Sequence, residues 1–165
     1  MVRLNDDYQQ NPESFEKVGI VVPKFDQKEI TEAAENQPIW VHFGGGNLFR
    51  CFHAKIAQNL LNSKELKAGV IVAETYDDGV VNQAYKPYNN RVLQVVMDEK
   101  GNYDKTLVVS VADAIYYNHT NTAGWSKLKH VFEQPSLQFV TMSITEKGYA
   151  LRDVNGNLSP AAVTD

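Results

Sequence analysis

Cysteine is nearly absent from this chain: Cys51 is the only one among 165 residues. No disulfide can close within the chain, which excludes the stapled framework of small secreted domains. Long apolar runs are also missing. No stretch approaches the roughly 18 apolar residues that cross a bilayer, and the polar opening from Met1 to Gln10 does not read as a secretory leader. A reducing cytoplasm is therefore the expected setting. There is no basic stripe either. Sixteen Lys and Arg against twenty Asp and Glu leave a net charge of -4, so neither nucleic acid nor a membrane is an expected partner. No pair among the four histidines has metal-ligand spacing and there is no cysteine cluster, so no metal is expected. Repeats, low-complexity tracts and flexible linkers are lacking too.

What remains is an ordinary globular mixture, 43% hydrophobic and 22% charged, long enough for one domain with a real core. Its organising stretch is Ile39-Trp40-Val41-His42-Phe43 followed by Gly44-Gly45-Gly46 and then Asn47-Leu48-Phe49-Arg50. An apolar run stops at three glycines, and an amphipathic segment starts behind them. That pattern predicts a strand, a tight turn and a helix. A helix N-terminus carries unpaired N–H groups and partial positive charge, so it attracts phosphate. Gly44 and Gly46 fit the first two places of the dinucleotide fingerprint. The third place would be residue 49, which is Phe49. On spacing alone, a glycine turn without function stays open as a reading.

In chain order, residues 1 to 25 read as a polar arm that packs on something else, with a short apolar patch from Val18 to Val22. Asp26 caps a short helix over about 27 to 35, with Glu29 placed as in a capping box. Behind the glycines, Leu48, Phe52, Ile56 and Leu60 form one row and Phe49, His53, Ala57 and Leu61 the next. Together they predict one apolar helix face reaching Leu61, with Lys55, Gln58 and Asn59 outside it. Cys51 falls near the helix start and is expected to be a packed, inert thiol. Val70 to Ala73 predicts a strand buried on both faces, ending at Glu74. Asp77 or Asp78 caps a short helix to about Tyr85, broken by Pro87 and Asn89-Asn90. Arg91 to Met97 and Thr106 to Val111 predict two strands joined as a hairpin. Thr122 caps a helix to about Phe132, and Leu137 to Met142 predicts another buried strand. Asn155-Gly156 signals a type I′ turn between two short extended pieces. Alternating strands and helices argue for α/β architecture: a doubly wound, mainly parallel sheet with an inserted β-hairpin.

In such sheets the ligand lies beyond the C-terminal strand ends. Three places qualify: the glycine turn with Asn47, Leu48, Phe49 and Arg50, then Glu74, then Ser143 to Tyr149. Glu74 suits the two hydroxyls of an adenosine ribose and would repel a 2′-phosphate, which favours NAD over NADP. Its spacing from the glycines exceeds the usual ~20 residues, and a solvated strand-end glutamate is the plain alternative. Asp77 and Asp78 read better as caps than as ribose ligands. Arg50 reads either as a phosphate contact or as a surface arginine. His42, inside a strand, reads as a satisfied core residue.

With these residues in view, the chain resembles the mannitol dehydrogenase family of long-chain polyol and hexuronate dehydrogenases. His42 to Arg50 looks like that family's nucleotide turn, in which the third glycine is also missing and an arginine follows. Thr145-Glu146-Lys147-Gly148-Tyr149 looks like its T-E-K-G-Y signature, and Tyr85-x-Pro87 through the hairpin resembles its insertion. The likeness runs from about Pro38 to Leu151. It implies an arm and short helix over 1 to 37 and a Rossmann domain over 38 to 165. That domain would bind a nicotinamide cofactor through Gly44 to Arg50, Glu74 and the turn formed by Thr145, Glu146, Lys147 and Gly148. Hydride would pass to or from a secondary alcohol of a hexitol or aldonate, of mannitol/fructose or mannonate/fructuronate type. The lysine, asparagine and histidine of the acid–base group would lie in a C-terminal helical domain that has no counterpart here, leaving a bare surface prone to self-association. A non-catalytic nucleotide-binding or regulatory module is the alternative. A methyltransferase-like domain is a third reading, and Thr145 to Tyr149 speaks against it.

Overall fold

A computed structural model describes residues 2–144, 150–153 and 155–158. Four parallel strands build the main sheet: β2 (Trp40–Phe43), β3 (Val70–Glu74), β6 (Val111–Tyr116) and β7 (Phe139–Met142), in the order β6-β3-β2-β7. The chain runs outward from β2 through β3 to β6, then returns to the other side of β2 as β7. Between β2 and β7 the winding reverses, and that is the point where open α/β sheets hold ligands. This is the expected doubly wound α/β arrangement.

The strand residues alternate between two cores. Trp40, Val70 and Val72 pack with Phe49, Ala54, Ala57 and Leu61 of the helix behind the glycines. Val41, Ile71 and Ala73 pack on the other face with Leu128 and Val131 of α4 (Thr122–Phe132). The central strand β3 is thus apolar on both faces, as burial between two helical layers requires.

A second sheet of three strands, β1-β5-β4, carries the expected hairpin, with β4 (Val92–Met97) antiparallel to β5 (Tyr103–Val108). The N-terminal arm packs here. Its helix α1 (Pro12–Glu16) and strand β1 (Ile20–Val21) bury Tyr8, Phe15 and Ile20 against Leu107 and Val109. Arg91 fastens the arm by donating to the carbonyls of Leu4 and Asp6 and lying over the Tyr8 ring. Helix α2 (Gln27–Asn36) starts at Asp26, whose side chain accepts from the Lys28 amide as a cap should.

Several expectations need correction. Strand β6 was not anticipated: what reads as one strand to Val111 is β5, a buried corner at Val109-Ser110, and then β6. Gln58, expected outside the apolar face, is buried and holds that corner. Its Nε2 donates to Leu107 O at 2.9 Å, and its Oε1 accepts from Val109 N at 2.7 Å. Ser110 Oγ adds a bond to Ala54 O at 2.6 Å. The two helix rows separate: Phe49, Ala57 and Leu61 are buried, whereas Leu48, Phe52 and Ile56 are exposed. Cys51 lies on the exposed side as well, so it is not a packed thiol. Strand β7 forms the sheet edge, with Phe139, Val140 and Met142 exposed rather than buried. Asn121, not Thr122, caps α4 by accepting from Gly124 N. The turn near the C-terminus is present, with Gly156 at φ +83 and a bridge between Arg152 and Leu158.

Candidate functional site

The three glycines at the end of β2 have three different reasons to be glycine. Gly44 sits at φ +102, a backbone region that side chains rarely adopt. Its amide donates to Ala73 O at 2.9 Å, so the bend is anchored to β3. At Gly45 the constraint is room: an added Cβ would stand 3.0 Å from Val80 Cγ1 and 3.2 Å from Tyr85 Cε2. Gly46 faces open space, with no atom within 4 Å of where a Cβ would be. Whatever approaches the backbone must come from that side.

A helix starts directly behind Gly46. Its first turns are wide, π-helical over Phe49–His53, and then it continues as α3 (Ala54–Asn62). Single π turns of this kind concentrate at functional sites. Asn47 and Leu48 stand exposed at the helix start, while the Phe49 side chain turns into the core against the His42 ring, 4.3 Å between centroids. Arg50 donates from its guanidinium to Asn47 Oδ1 and lies 5.9 Å from the centre of the Tyr85 ring.

Glu74 ends β3 beside this turn and is already engaged. Oε2 accepts from the Gly45 amide at 2.9 Å and Oε1 from the Tyr76 amide at 3.1 Å. The Tyr85 hydroxyl donates to Gly45 O at 2.9 Å from a fully buried position, and burial holds its pKa well above the ordinary tyrosine range. Glu74 and Tyr85 therefore grip the two polar groups of Gly45 from opposite sides. Asp77 accepts from Gly79 N and Asp78 pairs with Asn82 Nδ2, so both serve the start of the next helical turn. Thr145, Glu146, Lys147, Gly148 and Tyr149 lie outside the described residues.

On the other side of the turn, β7 brings up a polar row. Trp40 Nε1 donates to Thr141 Oγ1 at 2.7 Å. His42 Nδ1 is 2.7 Å from the same hydroxyl, and His42 Nε2 is 2.9 Å from Ser143 Oγ. His42 is fully buried, and its pKa is lowered to about 4 by desolvation and by the neighbouring His53. It is thus neutral near pH 7, as a core residue with both ring nitrogens bonded.

Across 164 residues, 99% of its length, the chain is 38% identical to a D-mannonate oxidoreductase of Thermotoga maritima. This likeness bears out the resemblance to the mannitol dehydrogenase family. It spans about 30% of the length of that curated relative. The fold agrees: the crystal structure of a D-sorbitol dehydrogenase in substrate-free form superposes with a TM-score of 0.66 at 19% identity, over 86% of this chain and 28% of that one. No family model matches the chain.

Within this chain, the structure brings Gly44 to Arg50 and Glu74 together at the winding reversal. Sequence reasoning missed Tyr85 as a support of the turn, and it missed the Trp40, Thr141, His42, Ser143 row. A signal for that row existed. Trp40 and His42 alternate along one strand, and Thr141 and Ser143 along another, so each pair shares a sheet face.

Proposed function

We propose that this chain is the NAD(H)-binding part of an oxidoreductase that transfers a hydride between a nicotinamide cofactor and a secondary alcohol. The substrate class is a hexitol or aldonate, of mannitol/fructose or mannonate/fructuronate type. The observation that carries this reading is the bend at Gly44 to Gly46. It lies where the sheet reverses its winding, it opens a helix, and at Gly46 it is clear of any atom that would block a close approach. Likeness to a D-mannonate oxidoreductase supports the substrate class.

Residues 38 to 165 form the nucleotide domain in this reading, and residues 1 to 37 an arm braced against its hairpin. The amides behind Gly46 and the side chain of Arg50 hold the diphosphate. Glu74 keeps a negative charge at the end of β3, where it accepts from ribose hydroxyls and disfavours a 2′-phosphate, so NAD is preferred to NADP. Thr145 to Gly148 complete the cofactor site beyond β7. The nicotinamide supplies or accepts the hydride. The acid–base group that moves the alcohol proton belongs to the part of the family's length that this chain does not span.

Fluorescence titration with NADH and NADPH tests the reading. NADH should saturate the chain and NADPH should bind more weakly. Gly46→Val should abolish binding without lowering the urea midpoint, because its side chain would enter open space. Absence of saturable NADH binding up to millimolar would overturn the assignment.

A further inference from the structure

The row Trp40, Thr141, His42, Ser143 is a polar wire linking β2 to the end of β7. Such a row costs desolvation unless every member is paired. Counting protons shows where it is incomplete. Indole N–H can only donate, so Thr141 Oγ1 accepts from Trp40 at 2.7 Å. A neutral imidazole has one N–H and one acceptor nitrogen. If the Thr141 hydroxyl donates to His42 Nδ1, the histidine carries its proton on Nε2 and donates to Ser143 Oγ at 2.9 Å. Every proton of the row is then used except that of the Ser143 hydroxyl. The opposite tautomer leaves the spare proton on Thr141, whose Oγ1 would then accept from both Trp40 Nε1 and His42 Nδ1 while donating to neither.

Ser143 stands at the open end. It follows the last residue of β7, and its amide donates to Phe43 O at 2.9 Å. A Cβ built on Gly44 would lie 3.4 Å from Ser143 Cβ. The leftover donor is thus beside the first glycine of the turn, at the winding reversal between β2 and β7.

We infer that Ser143 donates a hydrogen bond to an oxygen of the bound dinucleotide, and that His42 is the positioning residue that leaves its proton free to do so. This rests on the nucleotide-binding reading of the same turn. The ligand chemistry is an acceptor oxygen, supplied either by the diphosphate or by the ribose next to the nicotinamide. His42 stays neutral through the physiological range, because burial and His53 hold its pKa at about 4, so the tautomer persists there.

Three measurements on the 165-residue chain test this. Ser143→Ala should weaken NADH binding roughly tenfold, the worth of one good hydrogen bond, and Ser143→Thr should restore it. Titration with ADP identifies the oxygen: equal weakening of ADP and NADH points to the diphosphate, and weakening of NADH alone points to the ribose. Long-range nitrogen–proton NMR should find His42 protonated on Nε2 in the wild type. It should find a mixture of tautomers in Thr141→Val, with NADH binding weakened in step. If the wild type binds NADH but Ser143→Ala binds it equally well, or if His42 carries its proton on Nδ1, the inference fails while the nucleotide reading stands. If the wild type binds no NADH, both fail.

Discussion

Acid should destabilise this fold through one histidine, and the size of the effect follows from its burial. His42 is fully buried, stacks on Phe49 and bonds through both ring nitrogens. Its pKa falls from 6.5 to about 4, chiefly by desolvation and then by the His53 charge. The unfolded chain therefore binds a proton at this position between pH 6.5 and 4 that the folded chain refuses. Folded stability is complete above pH 6.5 and is lost as the pH falls toward 4. Each tenfold change in proton affinity is worth about 1.4 kcal/mol, so the loss reaches about 3 kcal/mol by pH 4, a large part of a typical domain's stability. Urea unfolding at pH 7 and at pH 4.5 measures it. His42→Phe keeps a ring against Phe49 and removes the titration. That variant is less stable than the wild type at pH 7, because Thr141 and Ser143 lose a partner, but the gap should narrow toward acid pH. A gap that stays constant with pH, or a His42 ring resonance with a midpoint near 6.5, would refute the reasoning. His53→Gln should move that midpoint upward, since it removes the second cause.

Gln58→Leu should cost roughly 2–4 kcal/mol, because it removes two buried hydrogen bonds, to Leu107 O and from Val109 N. Urea midpoints measure this, and a cost below about 1 kcal/mol would show that the corner is held by Ser110 alone. Leu48, Phe52 and Ile56 stand exposed in one row of the helix, and Phe139, Val140 and Met142 stand exposed on the edge strand. The 165-residue chain should therefore self-associate with rising concentration in sedimentation velocity, and Phe52→Ser with Val140→Thr should reduce it. A wild type that sediments as a clean monomer at every concentration would sink that expectation.

The sequence revealed the frame wherever one signal dominated. Val70 to Ala73 could only be a strand buried on both faces, and three glycines between an apolar run and an amphipathic one could only be a strand–turn–helix. Asp26 before Gln27 announced its helix. Failures came where tertiary contact replaces local punctuation. No Gly or Pro marks the corner at Val109-Ser110; a side chain from another helix, Gln58, supplies the hydrogen bonds that a turn would make for itself. Strand β6 was invisible for that reason. The apolar row of Leu48, Phe52 and Ile56 misled in the opposite way, since periodicity reports that a face is apolar but not what covers it. Of the site, Gly44 to Arg50 and Glu74 were legible as motif and strand end. Tyr85 was not, because nothing local distinguishes a tyrosine under a turn from one in a core.

Tyr85 and Glu74 change what the glycine motif means here. A glycine-rich turn is usually credited with its amides as a set. In this chain the Gly45 amide is taken by Glu74 Oε2 and the Gly45 carbonyl by the Tyr85 hydroxyl. The middle glycine is thus a clamp point, and its lack of a side chain serves the approach of Tyr85. An anion at this bend is left with amides from Gly46 onward, on the side that is clear of atoms. The same carboxylate that orders the turn sets a negative charge beside it. One residue thereby fixes the shape of the bend and, under the proposed nucleotide-binding reading, would bias which end of a nucleotide lies there.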